Sequence, residues 1–448
     1  MFQHRWFICI LIILAAGATV NPNNVSAQPH GVLNKSERLE WFRDLGLGMF
    51  IHWSVDSQLG SVISHSTVGA SQDYLDRYFN ELPKTFNPIR FDPDEWATLA
   101  RLAGMRYVVF TVKHHSGFNM YDTVTNNFGI MHTPYGRDIT AQIVKAFRAQ
   151  GIAVGFYFSP DDFYVLYKQG TLISRIRKEA LSMHNPGLLA SNLEQIRELF
   201  THYGPIDILF IDAHNKSEDA KPYEIRELAW DLQPDVVVTR GAIETPEQNI
   251  PDEGFSEPWE SCFTLGTQWQ YKPTNEDYKS GQQLIRMFIE IRAKGGNFLL
   301  NVGPKPDGTI PVEQEDRIRE LALWNFINQE AVFETETWVT PRQDDIWFTK
   351  KKGEETVYAI LTNQADWKFG DTRTFTLQSV KLTDNSRVTV LGQNDQVVEY
   401  TDKIPTTTWQ QTATGAEVTV TRAQRIYNDR KWPNPIVVKI THAQAVGR

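Results

Sequence analysis

Six short apolar runs in this chain end in side chains that can do chemistry. The run over 47–53 closes on Ile51-His52-Trp53, and that over 107–115 on Lys113-His114-His115. The third, 152–160, ends Tyr157-Phe158-Ser159-Pro160 and leads to Asp161. The fourth, 206–212, ends Phe210-Ile211-Asp212 before Ala213-His214. The fifth, 235–241, ends Thr239-Arg240-Gly241, and the sixth, 297–303, carries Leu300-Asn301-Val302. A buried strand ordinarily ends in turn formers, so imidazoles, a phenol, a carboxylate and a guanidinium at successive ends form a constellation. Asp212 follows mostly apolar neighbours that would hold its carboxylate rigidly. A capping aspartate after a strand is the plain alternative. His114 and His115 with Asp212 could ligate a metal. No His-Glu-x-x-His spacing occurs, however, and neutral imidazoles also hydrogen-bond hydroxyls. A hydroxyl-rich ligand is the preferred reading, with no metal and no cofactor.

The runs are rich in Val, Ile, Phe and Leu, the pattern of parallel strands buried on both faces. Helical stretches alternate with them. Asp92 reads as an N-cap before Pro93. The stretch 138–150 spaces Ile139, Ile143, Ala146 and Phe147 for one face, and Ser191-Asn192-Leu193-Glu194 resembles a capping box opening a helix to about 203. Stretches 223–232 and 279–293 follow suit. This alternation predicts a (β/α) barrel over 28–335, whose active site gathers at the strands' C-terminal ends. An open doubly wound sheet competes, but no Gly-rich phosphate fingerprint follows a strand. Beyond 336, short strand candidates at 337–341, 345–350, 357–361, 373–377, 387–391, 417–420 and 435–440 are separated by turn residues. They predict an antiparallel β-sandwich over 336–448.

The 448 residues are 41% hydrophobic, 22% charged and 12% aromatic, which excludes a disordered chain. The net charge of −9 argues against a nucleic-acid binder. Residues 1–27 read as a secretory signal: Arg5, an apolar run over 6–16 too short to span a bilayer, then Val25-Ser26-Ala27 with a cut after Ala27. The expected protein is exported, secreted or periplasmic, with no membrane attachment after cleavage. Of the two cysteines, Cys9 lies in that signal, leaving Cys262 alone, so the fold must rest on packing.

The segments Phe50-Ile51-His52-Trp53, Lys113-His114-His115-Ser116-Gly117-Phe118, Gly155-Phe156-Tyr157-Phe158-Ser159-Pro160, Ile208-Leu209-Phe210-Ile211-Asp212 and Trp259-Glu260-Ser261-Cys262 follow one another in order. Together with 297–308 they resemble the α-L-fucosidases of glycoside hydrolase family 29, over about residues 38–340. The resemblance implies a metal-free retaining hydrolase on a (β/α) barrel with a C-terminal β-sandwich, acting on terminal α-L-fucosyl residues of glycans. It implies Asp212 as nucleophile, with His52, His114, His115, Tyr157, Phe210 and Arg240 around the sugar, and Trp53 would add apolar surface for a 6-deoxy sugar's methyl. The segment 244–251 resembles the loop that carries the family's acid/base, which makes Glu247 the choice and Glu253 and Glu244 the reserves. Glu260 reads as a supporting residue. Two departures stand out. Val68-Gly69-Ala70-Ser71-Gln72-Asp73-Tyr74 occupies the place of the family's Gly-Glu-Trp, and Ala213 follows the nucleophile where glycine is usual. A related sugar such as an α-L-galactoside is therefore an alternative substrate, and a non-catalytic carbohydrate binder an alternative function. Retaining chemistry needs two carboxyls about 5–5.5 Å apart, one ionised to attack the anomeric carbon and one protonated to release the leaving oxygen. Arg240 and the imidazoles would keep Asp212 charged, while desolvation and like charge would keep a proton on the loop glutamate.

Overall fold

The computed structural model describes residues 31–213, 223–363, 365–424 and 434–446. The segment read as a signal, residues 1–27, and His214 lie outside the described residues. The chain divides into a short leading unit, Met1–Val32, and one compact unit, Leu33–Arg448.

Seven parallel strands form the first sheet of that larger unit: β1 (Leu47–Ile51), β2 (Tyr107–Lys113), β3 (Ala153–Phe158), β4 (Ile208–Ile211), β5 (Val237–Val238), β6 (Glu260–Thr264) and β7 (Asn297–Val302), in spatial order β5-β4-β3-β2-β1-β7-β6. The sheet curls into a barrel. Phe50, Tyr107, Tyr157, Phe210, Cys262 and Leu299, from six different strands, meet in one interior cluster. Tyr107 Oη, on β2, donates to Glu260 Oε2 on β6 at 2.8 Å across that interior. The gap between β5 and β6 is filled by residues 244–248. Cys262 N donates to Pro246 O (3.1 Å), Gln248 N to Cys262 O (2.9 Å) and Glu260 N to Glu244 O (3.2 Å). β6 is missing from the apolar runs because its sequence, Glu-Ser-Cys-Phe-Thr, puts polar groups into the barrel.

Helices α1 (Ser36–Leu45), α2 (Gln72–Asn80), α3 (Pro93–Leu102), α4 (Ile139–Ala149), α5 (Phe163–Gln169), α6 (Pro186–His202), α7 (Tyr223–Leu232), α8 (Gly281–Ala293) and α9 (Val312–Asn328) lie before, between and after the strands. Asp92 caps α3 through Asp94 N and Glu95 N, as its sequence predicts, and Asp138 caps α4 through Ala141 N. The capping box expected at Ser191 is not one. Helix α6 begins six residues earlier, with Asn185 as N-cap accepting from Leu188 N and Pro186 at the first position. Asn-Pro is the stronger start signal, since proline needs no donor there.

From Thr335 onward the strands are antiparallel: β8 (Thr335–Gln343), β9 (Ile346–Lys351), β10 (Val357–Leu361), β11 (Thr372–Leu377), β12 (Val380–Lys381), β13 (Arg387–Val390), β14 (Thr407–Thr412), β15 (Gly415–Thr421), β16 (Ile436–Thr441) and β17 (Gln444–Ala445). Sheet β13-β16-β10-β9-β8 faces sheet β11-β15-β14 across a core of Phe348, Leu377, Val418, Val420 and Val438, a β-sandwich. β14 has one large apolar residue, Trp409, and so leaves no alternation to read. The sandwich joins the barrel's outer core through Trp347, Tyr358, Ile360, Leu391 and Val437. Arg286 of α8 donates to Thr362 O at 2.7 Å, and Trp324 of α9 to Pro435 O at 3.0 Å.

Candidate functional site

The C-terminal ends of β1 to β5 converge on Asp212. Strand alternation sends every second side chain into the barrel. On β1 it turns Phe50 and His52 inward and Trp53 outward. Trp53 is fully buried against Phe86, Phe91 and Trp96, beneath the outer helices. The expectation that Trp53 lines the ligand pocket is therefore corrected: it is one residue out of phase with His52.

Asp212 follows β4, and its side chain keeps 15% exposure. Its Oδ2 accepts from Tyr157 Oη at 2.6 Å and faces His115 Nε2 at 3.5 Å; its Oδ1 accepts from Arg240 Nη1 at 3.0 Å. Burial alone would push this carboxyl up. Arg240 first, then His115 and the Tyr157 hydroxyl, outweigh burial and hold it well below the usual carboxylate range. The group is an anion at any physiological pH.

The neighbouring rings form one wall. His114 stacks on Tyr157 with centroids 5.0 Å apart, Tyr157 stacks on Phe210 at 5.6 Å, and His52 lies 5.5 Å from His114. His52 Nδ1 is 2.6 Å from Asn301 Oδ1 on β7. Burial lowers His52 to about 4 against the pull of Asn301 and Asp212, and burial with two neighbouring imidazoles pushes His114 well below the usual imidazole range. Both rings are neutral near pH 7, able to donate through one nitrogen and accept through the other. The Arg240 guanidinium sits 4.9 Å over Phe210.

Arg240 has a second carboxyl partner. Its Nη2 donates to Glu247 Oε2 at 2.9 Å, so adjacent nitrogens of one guanidinium hold Asp212 and Glu247. The backbone of Glu247 is fixed by its bridge to Cys262. The Glu247 side chain is 42% exposed. Glu253 lies elsewhere. Pro251 O accepts from Lys294 Nζ at 2.7 Å, and Gly254 packs on the Lys294 backbone, next to the turn that starts β7. That is the end of the barrel opposite Asp212. Glu244 gives its carbonyl to Glu260 N and exposes its side chain. Glu260 is buried beneath the pocket, and burial pushes it up to about 7 against its bonds to Tyr107 and Thr239.

Two groups escape the sequence. Trp269 stands 4.9 Å from His52 and 5.8 Å from Phe50, in the loop after β6, and an unread strand hides the loop that follows it. Arg175, in the loop after α5, donates from Nε to Asp161 Oδ2 at 3.0 Å; no local pattern marks it. Donor atoms of His114, His115 and Asp212 lie within 4.8 Å of one another. Arg240 already places positive charge on the same carboxylate, which opposes a dication there.

An anion fixed at the floor, three imidazoles, an aromatic wall and a second carboxyl at the rim suit a polyhydroxylated ring undergoing displacement. Residues 13–330 match the family model described as Alpha-L-fucosidase. The chain is 29% identical over 362 residues to the plasma alpha-L-fucosidase of Rattus norvegicus, covering 72% of this chain and 76% of that one. It is 26% identical to the alpha-L-fucosidase of Dictyostelium discoideum, covering 77% and 83%. The solved alpha-L-fucosidase isoenzyme 1 of Paenibacillus thiaminolyticus superposes with a TM-score of 0.72 at 27% identity, covering 92% of this chain and 99% of that one.

Proposed function

The chain belongs to the alpha-L-fucosidase family, and from that premise we propose that it is a retaining α-L-fucosidase removing terminal fucosyl residues from glycans. The observation that carries the reading is the shared grip of Arg240 on Asp212 and Glu247. A protein that only bound sugar would have no use for two carboxyls set at one guanidinium.

In the first step an Asp212 oxygen forms a bond to the anomeric carbon while the bond to the leaving oxygen breaks and Glu247 donates its proton to that oxygen. In the second, Glu247 takes a proton from water, the water oxygen bonds the anomeric carbon, and the ester bond to Asp212 breaks. Glu247 keeps an open face toward solvent, where the leaving group arrives, and a bound aglycone supplies the cover that the free pocket lacks. His52 and His114 take the sugar hydroxyls, His115 stays on the Asp212 carboxylate, and Tyr157, Phe210 and Trp269 take the sugar's apolar face. No step calls on a metal or cofactor. We place the catalytic domain at 28–335, read residues 1–27 as a cleaved signal and infer export to the periplasm or medium.

Aryl α-L-fucoside and aryl α-L-galactoside, which differ by one hydroxyl at C6, test the reading side by side. Turnover of the fucoside, lost in Asp212→Gly, supports it. Turnover of a third sugar alone, or activity unchanged by Asp212→Gly, ends it. For Glu247→Ala, a loss of about 10²–10⁴-fold is expected, with recovery by azide.

A further inference from the structure

His115 lies between two carboxylates, Asp161 on its Nδ1 side and Asp212 on its Nε2 side. Ser159 Oγ donates its single hydrogen to Asp161 O at 3.1 Å and accepts from Asp161 N at 3.1 Å. His115 Nδ1 is 2.5 Å from that same oxygen. With the hydroxyl hydrogen turned to Asp161 O, Nδ1 supplies the one between them. On the far side of the ring, Nε2 faces Asp212 Oδ2, which already accepts from Tyr157. A bare Nε2 would set its lone pair against a carboxylate. Asp161 Oδ2 stands 3.7 Å from Nδ1 and is held there by Arg175.

We propose that His115 is a standing imidazolium between Asp161 and Asp212, and that Ser159 and Asp161 are positioning residues that keep both of its nitrogens protonated. The charged and titratable groups around the pair are Arg175, Lys113 and Asp212, which act on Asp161, and His114, 4.2 Å from the His115 ring and neutral. Burial raises Asp161 to about 6, so its charge supports the imidazolium above that pH and is lost below it. The consequence for turnover rests on the reading of Asp212 as nucleophile. Once Asp212 becomes an ester its charge is gone, and Asp161 alone holds the imidazolium. Nε2–H then faces the ester oxygen and stabilises the carboxylate re-formed when water takes the sugar.

Ring nitrogen spectra of the full chain labelled with ¹⁵N-histidine test this directly, with His115→Gln identifying the resonance. The wild type should show two protonated nitrogens at pH 7. In Asp161→Asn the deprotonation midpoint should fall by about 1–3 pH units. Ser159→Ala should lower it too, and Ser159→Thr should restore it. Near-ultraviolet circular dichroism reports folding, and the serine variants carry the same test should Asp161→Asn fail to fold. A neutral single tautomer in the wild type at pH 7, or an unmoved midpoint in the variants, overturns the proposal. With an activated aryl leaving group, Asp161→Asn should lower kcat about 10–100-fold with a parallel fall in KM, the mark of slowed ester breakdown. The spectra need no turnover, so they test the imidazolium even where the fucosidase reading fails.

Discussion

The ionised state of Asp212 is a balance of burial against Arg240, His115 and Tyr157, and each partner can be withdrawn singly. Tyr157→Phe removes a hydrogen bond to a charged group, worth about 1.5–3 kcal/mol. The Asp212 pKa then rises, and the acid limb of the kcat/KM profile moves to higher pH. A profile that keeps its acid limb while activity drops would mean that Tyr157 serves only to pack the wall. At this scale much is legible in the sequence. His52, His114, His115, Tyr157, Phe210, Asp212 and Arg240 all end or follow strands, where type and position can be read together. Trp53 is the exception, because adjacency in sequence is opposition in a strand. Arg175 is unreadable, because its partner Asp161 comes from another element and long-range pairing leaves no local trace.

Among the elements, the turn after β2 sets both histidines, and Gly117 makes it possible. Its φ is +84°, and a Cβ there would fall 2.1 Å from Asp162 Oδ1. Asp162 caps α5 through Val165 N and faces the buried Lys113 ammonium at 3.4 Å. Gly117→Ala should therefore cost about 1–3 kcal/mol in thermal or denaturant unfolding, and shift the His114-His115 pair enough to raise KM. An unchanged midpoint with unchanged KM would show that the turn relaxes freely. Strands built of aliphatic residues announce themselves. β6 and β14 do not, since one carries polar groups into the barrel and the other exposes most of its face. The true start of α6 is hidden by a capping-box pattern in mid-helix.

For the whole molecule, three buried acids share one trend with pH. Burial raises Asp56 to about 6, Asp161 to about 6 and Glu260 to about 7. Between about pH 4 and these values each of the three acids holds its proton when folded and has lost it when unfolded. Their share of the stability therefore falls as pH rises across that window, by on the order of 1–3 kcal/mol for each group, while His52 and His114, lowered by burial, act in the opposite sense below about 6.5. Asp56→Asn removes one contribution, and its melting temperature should gain on the wild type as pH goes from 5 to 8. Parallel curves would refute this. The barrel and the sandwich share apolar surface at Trp347, Tyr358 and Ile360, so calorimetry should record one transition for both. The turnover from parallel to antiparallel sheets near residue 335 is legible from period and length alone. The closure of the barrel is not, since it depends on residues 244–248 lying alongside β6.

Cys262 sits inside the barrel beside Leu299 and Tyr107. In a chain lacking the first 27 residues it is the sole thiol, and no reagent can reach it while the strands hold. The rate at which a coloured disulfide reagent modifies this protein is thus a stopwatch for the opening of the barrel, read without any probe added by design.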